Sequence, residues 1–258
     1  MTRRLSVLLA FSLAGALTAC SSGGSGTAAP STSPSESASP SPSPSPSPSP
    51  SPSPVDVAVA GPPAAAKINL QTADLPAGFT TSPAADGEFA EDEAAEKELS
   101  ACVGQPFAES LVSEVSDDFV KGADFPVLEY ASQVEFYADE AVVAADLMVY
   151  QGDKIGECLS RQFTKEIEAN AEGVKFSPIM VTRLTPVAQG ADGAFGLRFS
   201  TKGTAQGESN SFTFDVLGFA KDRTQVSLTV AAFGAKPNDV ERDALFAKLV
   251  ERGIANAL

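Results

Sequence analysis

Two apolar rhythms divide the chain from Lys67 to Leu258, one recurring every three to four residues and one every second residue. The first predicts a helix over 89–103, where Ala95, Leu99, Cys102 and Val103 share a face at i, i+4, i+7 and i+8. Val127–Tyr137 then alternates. Leu128, Tyr130, Val134 and Phe136 point one way and Glu129, Gln133 and Glu135 the other, as in a half-buried strand. Asp139 is placed to cap a helix starting near Glu140. Gly152-Asp153 interrupts it, and Ile155, Cys158, Leu159, Phe163 and Ile167 make a second helical stripe. Strands follow at Lys175–Leu184, Ala194–Lys202, Asn210–Ala220 and Gln225–Phe233, with Lys221-Asp222-Arg223 as a hairpin turn and Gly203 to Glu208 turning the preceding pair. Asn238 and Glu241 have capping-box spacing ahead of a closing helix, whose apolar face is Leu245, Phe246, Leu249, Val250 and Ile254. This order predicts one α+β domain: a mainly antiparallel sheet of about five strands with helices packed on one face. The other face is left to solvent or to a ligand.

The first 66 residues lack either rhythm. Arg3 and Arg4 precede an apolar run from Leu5 to Leu17, too short for a spanning helix, which needs about 20 residues. The run ends Leu17-Thr18-Ala19-Cys20, which resembles the lipobox of bacterial lipoproteins, where the cysteine is lipidated and becomes the mature N-terminus. Residues 1–19 are therefore expected to be a signal peptide. Ser6 and Val7 do not continue a twin-arginine pattern, so ordinary secretion is expected. Residues 20–66 are read as an unfolded linker behind the lipid, and 67–258 as the globular domain. Ser39 to Pro54 is a run of Ser-Pro pairs that favours polyproline II, and at about 3.1 Å per residue it spans roughly 50 Å.

Charge narrows the partners. The chain has 18 Lys+Arg against 33 Asp+Glu; loss of residues 1–19 removes Arg3 and Arg4, leaving 16 against 33, or −17. Nucleic acid is excluded as a partner because no basic patch exists to meet phosphate. Contact with the membrane is expected through the lipid alone. Histidine is absent, which removes Ser-His-Asp and Cys-His systems and His-ligated metals; tryptophan is absent as well. With Cys20 lipidated, Cys102 and Cys158 are left as a pair in an oxidising compartment and are expected to form a disulfide, with two buried thiols as the alternative.

Few residues point to chemistry. Zinc-protease, dinucleotide, phosphate-loop, Gly-x-Ser-x-Gly and Ser-x-x-Lys patterns are all missing. The acidic cluster Glu91-Asp92-Glu93, Glu96 and Glu98 lacks EF-hand spacing and reads as a solvated helix face, so no metal site is assigned. The phenylalanines at Phe195, Phe199, Phe212, Phe214, Phe219 and Phe233 read as strand core. Arg183 and Arg198, on adjacent strands, are candidate ligands for an anionic group, against the simpler reading that they pair with nearby acids.

The order Leu75-Pro76-Ala77-Gly78-Phe79, Cys102-Val103-Gly104, Ala131-Ser132-Gln133-Val134-Glu135-Phe136 and Glu157-Cys158-Leu159 resembles actinobacterial cell-envelope lipoproteins. Their folded part is similar to the extracytoplasmic sensor domains of mycobacterial serine/threonine kinases. Those domains carry two disulfides, whereas one is available here. A looser likeness is to small lipoproteins with a PsbP/Mog1-like α/β/α sandwich. Both resemblances imply a binding module with no catalytic residues and no cofactor. The expected function is a lipid-anchored extracytoplasmic binding or sensor-like module for a small ligand, an envelope lipid or glycan, or an envelope protein. A carboxylate-based hydrolase of cell-wall glycan or lipid and an assembly factor for envelope complexes are the alternatives.

Overall fold

Three consecutive strands of ten or more residues follow one another along the chain: β7 (Gly193–Ala205), β8 (Glu208–Lys221) and β9 (Thr224–Phe233). They form an antiparallel meander in which Leu197 faces Val216 and Leu217 faces Leu228. The turn between β8 and β9 uses Asp222 at a positive φ of 50°, tolerated by the short polar side chain. The computed structural model describes residues 55–83, 93–122, 126–170, 174–205 and 207–258. The signal peptide, Cys20 and the Ser-Pro run lie outside the described residues. So do residues 89–92 of the first expected helix and the side chains of the acidic cluster up to Glu96.

The remaining strands are β1 (Thr80–Ser82), β2 (Val112–Val115), β3 (Asp118–Lys121), β4 (Val127–Phe136), β5 (Lys175–Phe176) and β6 (Met180–Arg183). The sheet runs β1-β3-β4-β9-β8-β7-β5, with β2 also on β4 and β6 also on β7. Every pairing is antiparallel. The α+β class stands with nine strands instead of about five. Lys175–Leu184 is two short strands, because Pro178, which has no N–H to donate, interrupts the ladder after Ser177. Gly203 is no turn residue; it lies inside β7 opposite Asn210.

Helices cover both faces of the sheet, and this corrects the single covered face expected from the sequence. On one face lie α1 (Val57–Ile68) and α5 (Asp239–Asn256). Ala65, Ile68, Leu245, Phe246 and Leu249 there meet Tyr130, Leu217, Phe219, Val226, Leu228 and Val230. Gly253 of α5 gives the closest approach, since a Cβ there would stand 2.4 Å from the Phe219 ring. The opposite face holds α2 (Glu93–Val103), α3 (Glu140–Gln151) and α4 (Lys154–Asn170). Val143, Tyr150, Ile155, Leu159 and Phe163 pack there on Phe195, Leu197, Phe199 and Phe214. The physical reason is that β8 is apolar on both parities, Leu217 and Phe219 on one face and Phe214 and Val216 on the other, a pattern that needs cover on both sides. Asp139 caps α3 through the Val142 N–H at 3.0 Å, as its position predicts. Cys102 and Cys158 are joined, clamping α2 to α4 across 56 residues.

Helix α1 moves the start of the fold. Residues 57–66 belong to the linker expected from the sequence, yet Val57, Ala64 and Ala65 are buried in the core. Pro62 and Pro63 fall inside this helix and remove two backbone donors, so local propensity argues against it. Tertiary contact overrides propensity. Gly61 lies so close to Phe136 and Val112 that a Cβ would stand 3.2 Å from each, and Asp56 caps the first turn. Beyond the helix, the Leu70 N–H donates to Ser132 Oγ at 2.9 Å, and that hydroxyl donates to Asn69 Oδ1 at 2.8 Å.

Candidate functional site

The two arginines proposed from sequence do not converge. Thr182 is the register partner of Arg198, so Arg183 and Arg198 leave neighbouring strands on opposite faces. Arg183 donates to the carbonyls of Tyr150, at 2.6 Å, and Gly152, at the end of α3. It serves as a helix C-cap. Arg198 forks onto Asp215 with both bonds at 2.6 Å and reaches Asp239 at 2.6 Å. Arg242 of α5 meets the same two acids at 2.8 and 2.9 Å. Asp215 is fully buried, and its hydrogen bonds to Arg198 hold that guanidinium's pKa above its ordinary range. Arg198 in turn holds the Asp239 carboxyl low. This four-residue network fastens α5 to β7 and β8.

A different constellation lies on the α3–α4 face, where a partly open cleft runs between helices and sheet. Its floor is polar: Gln133 and Glu135 on β4, and Gln225, Ser227 and Thr229 on β9. Register pairs Gln133 with Ser227 and Glu135 with Gln225. The walls are Tyr150 of α3, Leu159 and Phe163 of α4, and Phe195, Phe199 and Val216 of the sheet. Tyr150 stacks on Phe195 with centroids 4.3 Å apart, and Phe163 stacks on Phe199 at 4.9 Å. Gly218 makes this possible, because a Cβ there would stand 2.3 Å from the Phe195 ring. The cleft's volume is about 30 Å³, room for about two waters.

Behind the floor sits a buried polar cluster. Asp146 of α3 is 2% exposed and accepts from the Ala108 N–H at 3.2 Å and from Gln225 Nε2 at 3.1 Å. Burial pushes its carboxyl up from the ordinary 3.8 to about 6, although both hydrogen bonds act in the opposite sense. Tyr137 donates to Glu135 Oε2 at 3.3 Å, and burial raises the phenol well above its usual range. Gln225 is 3% exposed, and its Oε1 has no hydrogen-bond partner. Among the described residues lining the cleft, Glu135 is the one carboxylate and there is no lysine or arginine. Such a site can accept hydrogen bonds and hold apolar groups against aromatic faces.

The comparisons with known proteins are sparse. No protein-family model and no curated protein matches the chain. Among solved structures, the extracellular domain of PknH from Mycobacterium tuberculosis is similar at 10% identity, over 66% of this chain and 96% of that one. The TM-score is 0.29, and no residue assignment is carried across.

Sequence reasoning missed every residue of the cleft floor. Glu135, Gln133, Gln225 and Ser227 alternate with large apolar residues, a pattern that reads as the solvent side of a strand. One signal pointed the other way. The expected helices present three apolar stripes, more than one face of a five-stranded sheet can cover.

Proposed function

We propose that the chain is an extracytoplasmic binding module of the cell envelope. Cys20 carries the lipid that holds it to the membrane, the Ser-Pro run spaces it outward, and the α3–α4 cleft takes a small ligand without chemical conversion. The observation that supports this reading most is the cleft itself: stacked aromatic walls over a floor of hydrogen-bonding side chains, with a buried Gln225 oxygen still unpartnered. Small-molecule sites combine apolar walls with a few fixed polar groups in this manner. The sequence supports an exported position through Leu17-Thr18-Ala19-Cys20 and favours binding over catalysis through its lack of histidine.

The test is chemical-shift mapping with a mixture of small soluble fragments on the full chain carrying Cys20→Ser. Shifts should concentrate on the cleft floor, and Ser227→Phe, which fills the space with a ring, should abolish them. Fragment shifts concentrated elsewhere, or unchanged in Ser227→Phe, would overturn the assignment. Anchoring is tested separately by cell fractionation, where Cys20→Ser should move the protein from the membrane to the soluble fraction.

A further inference from the structure

We infer that the Cys102–Cys158 disulfide is an exchange-active latch: a dithiol opens it at Cys102, and α2 is then free to leave α4. The inference is independent of the cleft and its ligand. It begins with an asymmetry between the two sulfurs. Cys158 is 4% exposed, whereas Cys102 is only half-buried. Arg161 donates from Nη2 to Cys102 Sγ at 3.0 Å, and its side chain is 64% exposed, so the sulfur it touches lies at the surface.

Cations gather at that sulfur in a chain of net charge −15. Lys154, Cys158, Arg161 and Lys165 follow at i, i+4, i+7 and i+11 along α4, and each meets α2 or the residues just after it. Arg161 also meets Glu157 at 3.3 Å, a carboxylate that solvent screens because it is 76% exposed. Exchange is favoured at a reachable sulfur in electropositive surroundings. The dithiol's thiolate bonds to Cys102 Sγ, the Sγ–Sγ bond breaks, and its electron pair leaves on Cys158, which takes a proton. The second thiol, deprotonated, attacks the dithiol's own sulfur in the mixed disulfide. It expels Cys102 as a thiolate beside Arg161, which then takes a proton. The dithiol ends as its own disulfide, having passed two electrons and two protons to the cysteine pair.

Without the bond little ties α2 down. The helix packs chiefly on α4. Leu99 is buried there, and Glu98 pairs with Lys165 through side chains 64% and 62% exposed, a kind of pair that contributes little. Gly104, at a positive φ of 89°, follows the helix, and Phe107 is held against Tyr150 with ring centroids 5.8 Å apart. The chain therefore has a pivot between Gly104 and the anchored Phe107, and departure of α2 leaves the sheet in place.

The experiment is disulfide exchange on the full chain carrying Cys20→Ser, in which Cys102 and Cys158 are the remaining cysteines. Exchange with glutathione, quenched by acid and alkylation, should place glutathione on Cys102, read by peptide mass mapping. Reduction by dithiothreitol should slow about fivefold in Arg161→Gln, the scale of one unit charge at about 4 Å in water, and recover in Arg161→Lys. The difference should shrink as salt is raised. Glutathione on Cys158, or equal rates for wild type and Arg161→Gln, overturns the exchange site. The latch is read by hydrogen exchange of the reduced chain at increasing urea. Amides of α2 should exchange through a local opening that urea leaves unchanged, while β8 and β9 follow the slope of global unfolding. Amides of α2 that follow the global slope overturn the latch.

Discussion

Replacing Asp146 by asparagine should stabilise the protein near neutral pH. The carboxyl is buried, and its pKa rises from 3.8 to about 6 on folding. Because the folded pKa is the higher one, the folded state holds its proton over a range in which the unfolded chain has released it. The protonated carboxyl's contribution is complete below about pH 4, declines as pH rises from 4 to 6, and is absent above. At about 1.36 kcal/mol per pKa unit, the ionised form costs about 3 kcal/mol relative to the protonated one. The amide introduced by Asp146→Asn would keep an acceptor for the Ala108 N–H. It would need the Gln225 amide to turn, presenting the now unpartnered Oε1 to the new N–H. Allowing about 1 kcal/mol for that rearranged hydrogen bond leaves a net gain of about 2 kcal/mol above about pH 7. In a domain of this size that raises the Tm by about 4–8 °C. The assay is thermal melting of wild type, Asp146→Asn and the exposed control Asp153→Asn from about pH 4 to about pH 8, the range that brackets the shifted carboxyl. Acidification also relieves the repulsion of a chain with net charge −15, so the quantity to read is the difference between variants. A Tm for Asp146→Asn at or below that of wild type on the alkaline side, or a gap independent of pH, would refute the reasoning.

Other perturbations probe the frame around the cleft. Cys102→Ser with Cys158→Ser removes a cross-link over 56 residues and should cost about 4 kcal/mol on the chain-entropy model, read by urea denaturation; reductant should produce the same loss in wild type only. Asp215→Ala removes both bonds of the Arg198 fork and one bond of Arg242, while Asp239 still meets both arginines, and should cost about 1–3 kcal/mol, again by urea denaturation. A chain beginning at Lys67 loses the packing of Val57, Ala64 and Ala65 and should be less stable than one beginning at Val55 by about 3 kcal/mol or more, checked by differential scanning calorimetry.

The local parts of the fold were legible because their signals are local. Asp139 ahead of Glu140, the Asn238–Glu241 spacing and the Lys221-Asp222-Arg223 turn each satisfy backbone groups within a few residues, and all three appear in place. The short strands β2 and β3 were invisible: each has four residues, too few for an alternation to mark it. Helix α1 was hidden by Pro62 and Pro63, whose local cost is overcome by contacts from distant residues such as Phe136. The site was the least legible part. Burial of Glu135 and Gln225 depends on helices crossing a face that their own strands mark as polar, a property of the packed layers. Arg198 shows the converse: a charge that stands alone in sequence is paired in the fold with Asp215 and Asp239, acids that Arg242 shares.

The most direct test of the binding assignment is native mass spectrometry of the Cys20→Ser chain purified from its own host, beside the same chain carrying Ser227→Phe. A small-molecule mass on the first chain and none on the second, with equal folding by circular dichroism, is the expected result. A bare mass for both chains, or an adduct retained when the cleft is filled, would contradict it.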